Sequence, residues 1–306
     1  MPSPVPGPAE VLIEVAAAGV NRADLLQRAG QYPPPPGASP ILGLEVSGVV
    51  AAVGSQVHGW VEGDAVAALL AGGGYAEQVC VPASQLHPLP ASVDLIDAAA
   101  LPEAAATSWV SLVGAGGLRP GDAVLVHGGS GGVGTFAIQL AAALGARVLT
   151  TAGGPARCQR CLELGADVAI DHRSEEFVSR VLEETDGRGA DVVLDVIGAD
   201  YLARNLAAVA VGGRIVVIGL QRGARAELDL ATLLAKRASI IGTMLRSRSA
   251  AEKAAIVADV TEHVWPLLEA GTIHPVIHAR LPLDQADLAH EMLRTGEAFG
   301  KVLLIP

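Results

Sequence analysis

An α/β fold built on a doubly wound parallel sheet is what this sequence predicts, and three observations predict it. The first is an apolar run, Val124-Leu125-Val126-His127, that ends in Gly128-Gly129-Ser130-Gly131-Gly132-Val133-Gly134 and passes directly into Thr135-Phe136-Ala137-Ile138-Gln139-Leu140-Ala141. The second is the alternation that follows. Strand-like runs at Val124–His127, Arg147–Thr151, Val168–Asp171, Val192–Val196, Arg214–Gly219 and Ser239–Met244 are separated by helical patterns over 133–144, 155–164, 174–185, 200–210 and 229–236. Six strands with five crossovers is the count of a doubly wound sheet of the Rossmann kind. The third is the front of the chain, where Val11–Ala18, Gly48–Val53, Ala65–Leu70 and Ala76–Val81 are short apolar runs broken by Gly and Pro, the pattern of a β-rich domain.

Each stretch then takes a place. Between the early strands lie a stiff loop, Tyr32-Pro33-Pro34-Pro35-Pro36-Gly37, and a tight turn, Gly72-Gly73-Gly74. Residues 95–116 read as helical and lead into the alternating part. From about 271 the chain returns to mixed β and α character, and Lys301-Val302-Leu303-Leu304-Ile305 is a strand expected to rejoin the first domain. The expected domains are therefore 1–112 with 271–306, and 113–270.

The glycines at 129, 131 and 134 give the spacing GxGxxG in its required setting, strand before and helix after. Such glycines let the backbone approach a pyrophosphate, and the helix N-terminus offers it free N–H groups. Ser130, Gly132 and Val133 belong to the same turn. An NAD site ordinarily has Asp or Glu at the end of the second strand. Here that end reads Thr150-Thr151-Ala152-Gly153-Gly154-Pro155-Ala156-Arg157, with no carboxylate before Glu163. A small turn around Gly153 leaves room for a 2′-phosphate, which Arg157 can pair, so NADPH is the expected cofactor. The alternative for Arg157 is a solvated position at a helix start. Other strand ends face the same crevice: the loop with Ile197 after Asp195, and Gly219-Leu220-Gln221. Asp195 either lines the cofactor or caps the next helix.

Composition bounds the rest. A net charge of −11, from 21 basic and 32 acidic residues, argues against nucleic acid or an anionic membrane as partner. No run of 18 apolar residues lacks breakers and no signal-like segment opens the sequence, so a cytoplasmic location is expected. Three cysteines make no disulfide framework.

The sequence resembles the medium-chain dehydrogenase/reductase superfamily, and within it the zinc-free quinone oxidoreductases of the zeta-crystallin group. The residues that carry the resemblance are Ala17–Arg28, Gly30-Gln31-Tyr32, Leu42–Val50, Leu101-Pro102-Glu103-Ala104 with Thr107, Gly121–Gly134, Leu245-Arg246-Ser247-Arg248 and Glu297–Val302. The branch looks most like the tumour-suppressor-inducible quinone oxidoreductases. The resemblance implies a GroES-like catalytic domain beside the Rossmann domain, an NADPH-dependent activity and a homodimer.

It also implies site residues. Zinc-dependent members have metal ligands where this sequence has Asn21 and Leu44, and Glu45 alone holds no zinc, so no metal is expected. Cys158-x-x-Cys161 has no second pair, and Pro275 separates His274 from His278. Without a Lewis acid, quinones and conjugated enones are suitable acceptors, and a donor near the developing oxyanion assists. Asn21 and Tyr32 are the candidate donors, with Tyr32 also a proton donor; each has a plainer role available, Tyr32 stacking on its prolines and Asn21 capping a turn. Asp24 either orients Asn21 or Arg28 or is a solvated helix-start carboxylate. Thr107 matches a position that touches the nicotinamide, or is an ordinary helix hydroxyl. His172 stands where the family often has Tyr and either packs by the adenosine phosphate or lies on the surface. Leu245, Arg246 and Lys301 join the cofactor-binding set. The related chains have a β-hairpin ahead of the stretch matching Pro4–Glu10, where only Met1-Pro2-Ser3 stand here; without it one side of the β domain would be open.

Three functions fit. The first is an NADPH-dependent quinone reductase. The second is a reductase of activated alkenes such as enoyl thioesters, for which a basic patch for the carrier would speak, although the sequence shows no compact Lys/Arg cluster. The third is a crystallin-like NADPH-binding protein without turnover. The acidic balance counts against nucleic-acid binding in that last reading.

Overall fold

The structure, a computed structural model, describes residues 3–306; the expectation about the chain's start falls on Met1 and Pro2, outside the described residues, as well as Ser3. The chain runs through β1 (Glu10–Gly19), α1 (Arg22–Arg28), β2 (Glu45–Val53), β3 (Ala65–Leu69), β4 (Gln78–Pro82) and β5 (Leu86–Pro88). Next come α2 (Pro102–Trp109), a π-helical stretch at Val110–Ala115, β6 (Ala123–His127), α3 (Gly132–Ala143), β7 (Arg147–Ala152), α4 (Pro155–Glu163), β8 (Val168–Asp171), α5 (Phe177–Glu184), β9 (Ala190–Asp195), α6 (Leu202–Ala208), β10 (Val209–Val217), α7 (Leu230–Lys236) and β11 (Ser239–Gly242). The chain closes with α8 (Ala250–His263), α9 (Trp265–Glu269), β12 (Ile277–Pro282), α10 (Ala286–Thr295) and β13 (Lys301–Ile305). Two compact units result, one from residues 3–106 with Leu245–Pro306 and one from Thr107–Met244.

The second unit holds a six-stranded, all-parallel sheet in the order β11-β10-β9-β6-β7-β8. Numbered from its first strand, that order is the doubly wound one. Parallel strands covered on both faces read as continuous apolar runs. Ala123–Val126 are accordingly buried throughout, and Leu125, Leu149, Ile170, Val193, Ile215, Phe177 and Tyr201 share one core. The expected strands and helices stand where the alternation put them, within a few residues. The one displaced start is β10, which begins at Val209 and carries a register irregularity before Arg214.

In the first unit, β1 is the hub of a seven-stranded sheet, pairing with β2, β4 and β13. The C-terminal strand joins this sheet as expected. The expectation that 113–270 form one domain needs correction at both ends: 107–112, expected in the first domain, open the second unit, and 245–270 belong to the first unit. At the C-terminal end the reason is side-chain packing. His87 bonds Thr261 at 2.7 Å, the Trp265 indole donates to the Pro88 carbonyl at 2.7 Å, and Trp265 stacks on His87 with centroids 4.0 Å apart. The strand β5 that these contacts seat was not expected from the sequence. Among the described residues, no helix is long and apolar enough to cross a membrane.

Candidate active site

The glycine turn closes the C-terminal end of β6 in the second unit. Gly131 is the N-cap of α3 in extended conformation and supplies no side chain, so the first N–H groups of that helix have no cap. The three signature glycines differ in need. A Cβ on Gly134 would collide with the Gly128 carbonyl and lie 2.8 Å from Gly129 Cα, and one on Gly129 would collide with the Thr150 hydroxyl. A Cβ on Gly131 would meet only the Gly128 carbonyl oxygen at 3.4 Å. Two glycines therefore serve packing and the third keeps the ligand side of the turn clear. This is a cradle that fits a pyrophosphate.

Beneath the turn lies a buried neutral network. Asn205 Oδ1 can only accept, so the His127 Nε2 at 2.7 Å donates to it. Nδ1 then accepts from the Thr151 hydroxyl at 3.0 Å, and that hydroxyl accepts the Gly128 N–H at 3.3 Å. Burial pushes the His127 imidazole down to about 4, so it stays neutral. Phe177 and Tyr201 meet its ring edge to face.

The ends of β7 and β8 carry the basic groups. Arg157 is half-buried and its guanidinium reaches Ser130 Oγ at 3.3 Å. Gly153 faces two neighbours, since a Cβ there would lie 3.1 Å from Arg173 Nε and 3.2 Å from His172 Nε2. Asp171 ties the two loops by accepting from the Gly154 N–H at 2.9 Å and the Arg173 N–H at 3.1 Å, and these bonds hold its carboxyl below the usual range. Arg173 was absent from the expected set; its signal was a basic residue two places past the third strand. The loops after β9 and β10 interlock, with Gln221 N–H donating to Val196 O at 3.2 Å and Arg222 N–H to Ile197 O at 2.8 Å. Ile197, Gly219, Leu220 and Gln221 are thus brought together. Asp195 is fully buried and accepts from the Ile197 and Gly198 N–H groups, so it closes its own turn. Thr107 is half-buried in α2.

The other expected residues belong to the first unit, on a buried charged network. Lys301 ion-pairs with Glu45; the two side chains are 4% and 0% exposed. Its ammonium also donates to Asn21 Oδ1 at 2.7 Å. Lys301, expected to bind cofactor, is committed here to Glu45 and Asn21. The Asn21 amide nitrogen in turn donates to Glu45 Oε1 at 2.8 Å and, more weakly, to Gly19 O at 3.3 Å. Both ends of that carboxamide are occupied by protein, which limits Asn21 as a direct donor.

Asp24 is not the solvated carboxylate that one reading gave it. It is fully buried and receives Asn21 N–H at 2.8 Å, Gly43 N–H at 3.2 Å and the Tyr75 hydroxyl at 3.1 Å. It orients Asn21 through the backbone, while Arg28 pairs instead with Asp287. Burial raises the Asp24 carboxyl to about 6. Because Tyr75 donates to Asp24, its oxygen accepts from His290 Nε2 at 3.1 Å, which fixes the His290 tautomer. Burial, then the Glu45 carboxylate, pushes Glu103 up to about 8. Glu45, Tyr75, Glu103 and His290 were not expected at a site.

Tyr32 is different in kind. It is half-buried, and its hydroxyl makes no hydrogen bond among the described residues. The Arg246 guanidinium lies 5.4 Å from its ring centroid, held by Tyr32 O, Ala71 O and Gln27 Oε1. Burial raises the phenol, with Glu103 adding to the shift, so the hydroxyl keeps its proton. Leu245 packs beside Arg246 in sequence and is buried. Cys158 and Cys161 are buried thiols, the latter pushed up to about 12. No group of three metal-binding side chains occurs among the described residues.

Comparison with known proteins agrees with this architecture. Residues 132–259 match the zinc-binding dehydrogenase family model, and residues 7–91 match the alcohol dehydrogenase GroES-like domain. A human quinone oxidoreductase is 32% identical over 304 residues, covering 99% of this chain and 91% of its own. The solved structure of an Escherichia coli quinone oxidoreductase complexed with NADPH is 31% identical, with a TM-score of 0.90, covering 100% of this chain and 94% of that one. The CurK enoyl reductase structure is 27% identical with a TM-score of 0.87, covering 100% and 93%. With a GroES-like unit, a doubly wound unit and this likeness along its length, the chain belongs to the medium-chain dehydrogenase/reductase superfamily, where quinone oxidoreductases are among its relatives.

Proposed function

We propose that this oxidoreductase uses NADPH to reduce quinones by hydride transfer, without zinc. The observation that carries the reading is the gathering of Arg157, His172 and Arg173 around the small turn at Gly153, beside the uncapped α3 N-terminus. Cations at that place suit a 2′-phosphate, and the β7 end has no carboxylate for ribose hydroxyls. The glycine turn and Ser130 would hold the pyrophosphate; Arg157, His172 and Arg173 would hold the 2′-phosphate. When bound, the cofactor supplies the hydride.

The first unit supplies the substrate-facing groups. The unpaired Tyr32 hydroxyl is the donor to the acceptor oxygen, and its raised pKa keeps it protonated at neutral pH. Asn21 is a positioning residue held by Lys301, Glu45 and Asp24. Leu44 in the core and Asn21 in this network leave Glu45 without ligand partners, which supports chemistry without zinc.

We also propose a homodimer. Among the described residues strand β11 is a sheet edge paired with β10 alone, and Leu230 and Leu234 on the adjacent α7 are 62% and 76% exposed. Pairing of two such edges would cover them. Three free thiols support a reducing compartment such as the cytoplasm.

The second reading, an enoyl thioester reductase, draws support from the likeness to the CurK enoyl reductase. NADPH consumption measured with 1,4-benzoquinone, 9,10-phenanthrenequinone and crotonyl-CoA, each repeated with NADH, separates the two. Quinone turnover with NADPH is expected. Turnover of crotonyl-CoA alone would replace the first reading by the second, and tight NADPH binding with no turnover would leave a binding protein.

A further inference from the structure

A cavity of about 1360 Å³ lies within the first unit. One wall is apolar and includes Pro36, Ile41, Leu70 and Tyr75. Another is the start of α8: Ser247, Arg248, Ser249, Ala250 and Lys253. Lys253 is only 5% exposed and lines this cavity, yet its ammonium makes no hydrogen bond and no ion pair among the described residues. At longer range it is repelled by Arg246 and faces Glu103, whose carboxyl burial keeps protonated up to about 8; burial lowers the Lys253 pKa.

The Lys253 side chain is almost wholly covered and its ammonium opens only onto the cavity, so no group among the described residues makes up for the hydration it has lost. Its place adds to this cost. Lys253 is in the first turn of a 14-residue helix, at the positive end of the macrodipole, where a cation is repelled. The capping box accounts for part of that helix start, because Ser249 Oγ accepts the Glu252 N–H and Glu252 accepts the Ser249 N–H. The N–H groups of Ala250 and Ala251 remain without an intrahelical acceptor. The Arg246 guanidinium, though its bonds go to protein oxygens, adds positive potential. Glu10, Glu77 and Asp284 also line the cavity, and none pairs with Lys253. A cavity-facing ammonium without a partner among the described residues, the exposed N–H of Ala250 beside it and the positive end of a helix dipole all favour an oxyanion at one place.

We propose that the first turn of α8 with Lys253 is a subsite for an oxyanion, a carboxylate or phosphate, carried by an otherwise apolar acceptor whose body lies on the Ile41, Leu70 and Tyr75 wall. The word acceptor rests on the reductase reading; the binding of the anion does not. Acidic quinones and enones, phosphate-bearing thioesters included, are the substrates such a subsite selects.

The test is calorimetry on protein saturated with NADP⁺, so that the glycine turn is already occupied. Inorganic phosphate and benzoate are titrated separately. Saturable binding of either is expected, weakened about tenfold or more in Lys253→Met and largely retained in Lys253→Arg. Phosphate alone would mark a phosphoryl-bearing acceptor, benzoate alone a carboxylate-bearing one. Thermal melts give a second readout: Lys253→Met is expected to melt higher than wild type without anion, and to lose the rise in Tm that the anion gives wild type. The proposal is overturned if neither anion binds, if NADP⁺ alone excludes both, or if Lys253→Met binds as wild type does. Because no turnover is measured, failure of the reductase reading would leave this result standing.

Discussion

The two units anchor their candidate sites on buried polar networks of opposite make. Under the glycine turn, His127, Thr151 and Asn205 are neutral and share hydrogen bonds whose direction is fixed by one amide oxygen. In the first unit, Lys301, Glu45 and Asp24 are charged or chargeable groups with almost no exposure. A neutral hydrogen bond contributes about 1 kcal/mol net, whereas removing one member of a buried ion pair leaves a charge that costs about 3–5 kcal/mol. The glycine turn thus rests on backbone shape with light side-chain support, and the network of the first unit on charge balance.

That difference can be broken at its stronger end first. Lys301→Met should destabilise the protein by about 3–5 kcal/mol, read by urea unfolding, because it strands the Glu45 carboxylate. Adding Glu45→Gln should recover part of the loss. On the other side, Gly134→Ala puts a Cβ onto the Gly128 carbonyl and Gly129. It should cost about 1–3 kcal/mol and remove most NADPH affinity, measured by fluorescence titration.

His127→Leu leaves Thr151 and Asn205 unsatisfied, at about 1–3 kcal/mol, and also changes the pH dependence. The folded imidazole titrates at about 4 against 6.5 unfolded, so the unfolded state binds more protons between these values. Its contribution is complete above the unfolded value and is lost as pH falls through 4; the variant should flatten that acid limb. Glu103 runs the other way. Raised to about 8 from 4.5, it holds its proton better when folded, so its contribution is lost as pH rises through 8, and Glu103→Gln should flatten the alkaline limb. The smallest effect belongs to Arg28→Ala, which removes an ion pair whose side chains are 49% and 96% exposed; a change under about 1 kcal/mol is expected by the same unfolding measurement.

The same contrast explains what could be read from the sequence. The glycine turn, its flanking strand and helix, and the six-fold alternation are local patterns, and residues 123–244 folded as that pattern implied. The charged network joins residues 256 and 280 positions apart, Lys301 to Glu45 and to Asn21, which no local pattern reveals. Its one local sign was a carboxylate, Glu45, inside the apolar run Leu42–Val50. The misplaced boundary at 245–270 has the same cause, since the contacts that seat α8 and α9 reach back 174 and 177 positions to His87 and Pro88. Asp24 looked like a helix-start carboxylate because its burial depends on Tyr75, 51 positions on.

If the first unit acts on the acceptor while the second holds the cofactor, Tyr32→Phe separates the two roles. The variant loses a hydroxyl that makes no hydrogen bond among the described residues, so its fold should be intact. A fall of about 10²-fold in kcat/KM for 9,10-phenanthrenequinone is expected, with the NADPH dissociation constant unchanged. Unchanged turnover, or a loss that follows weakened NADPH binding, would contradict that division of roles.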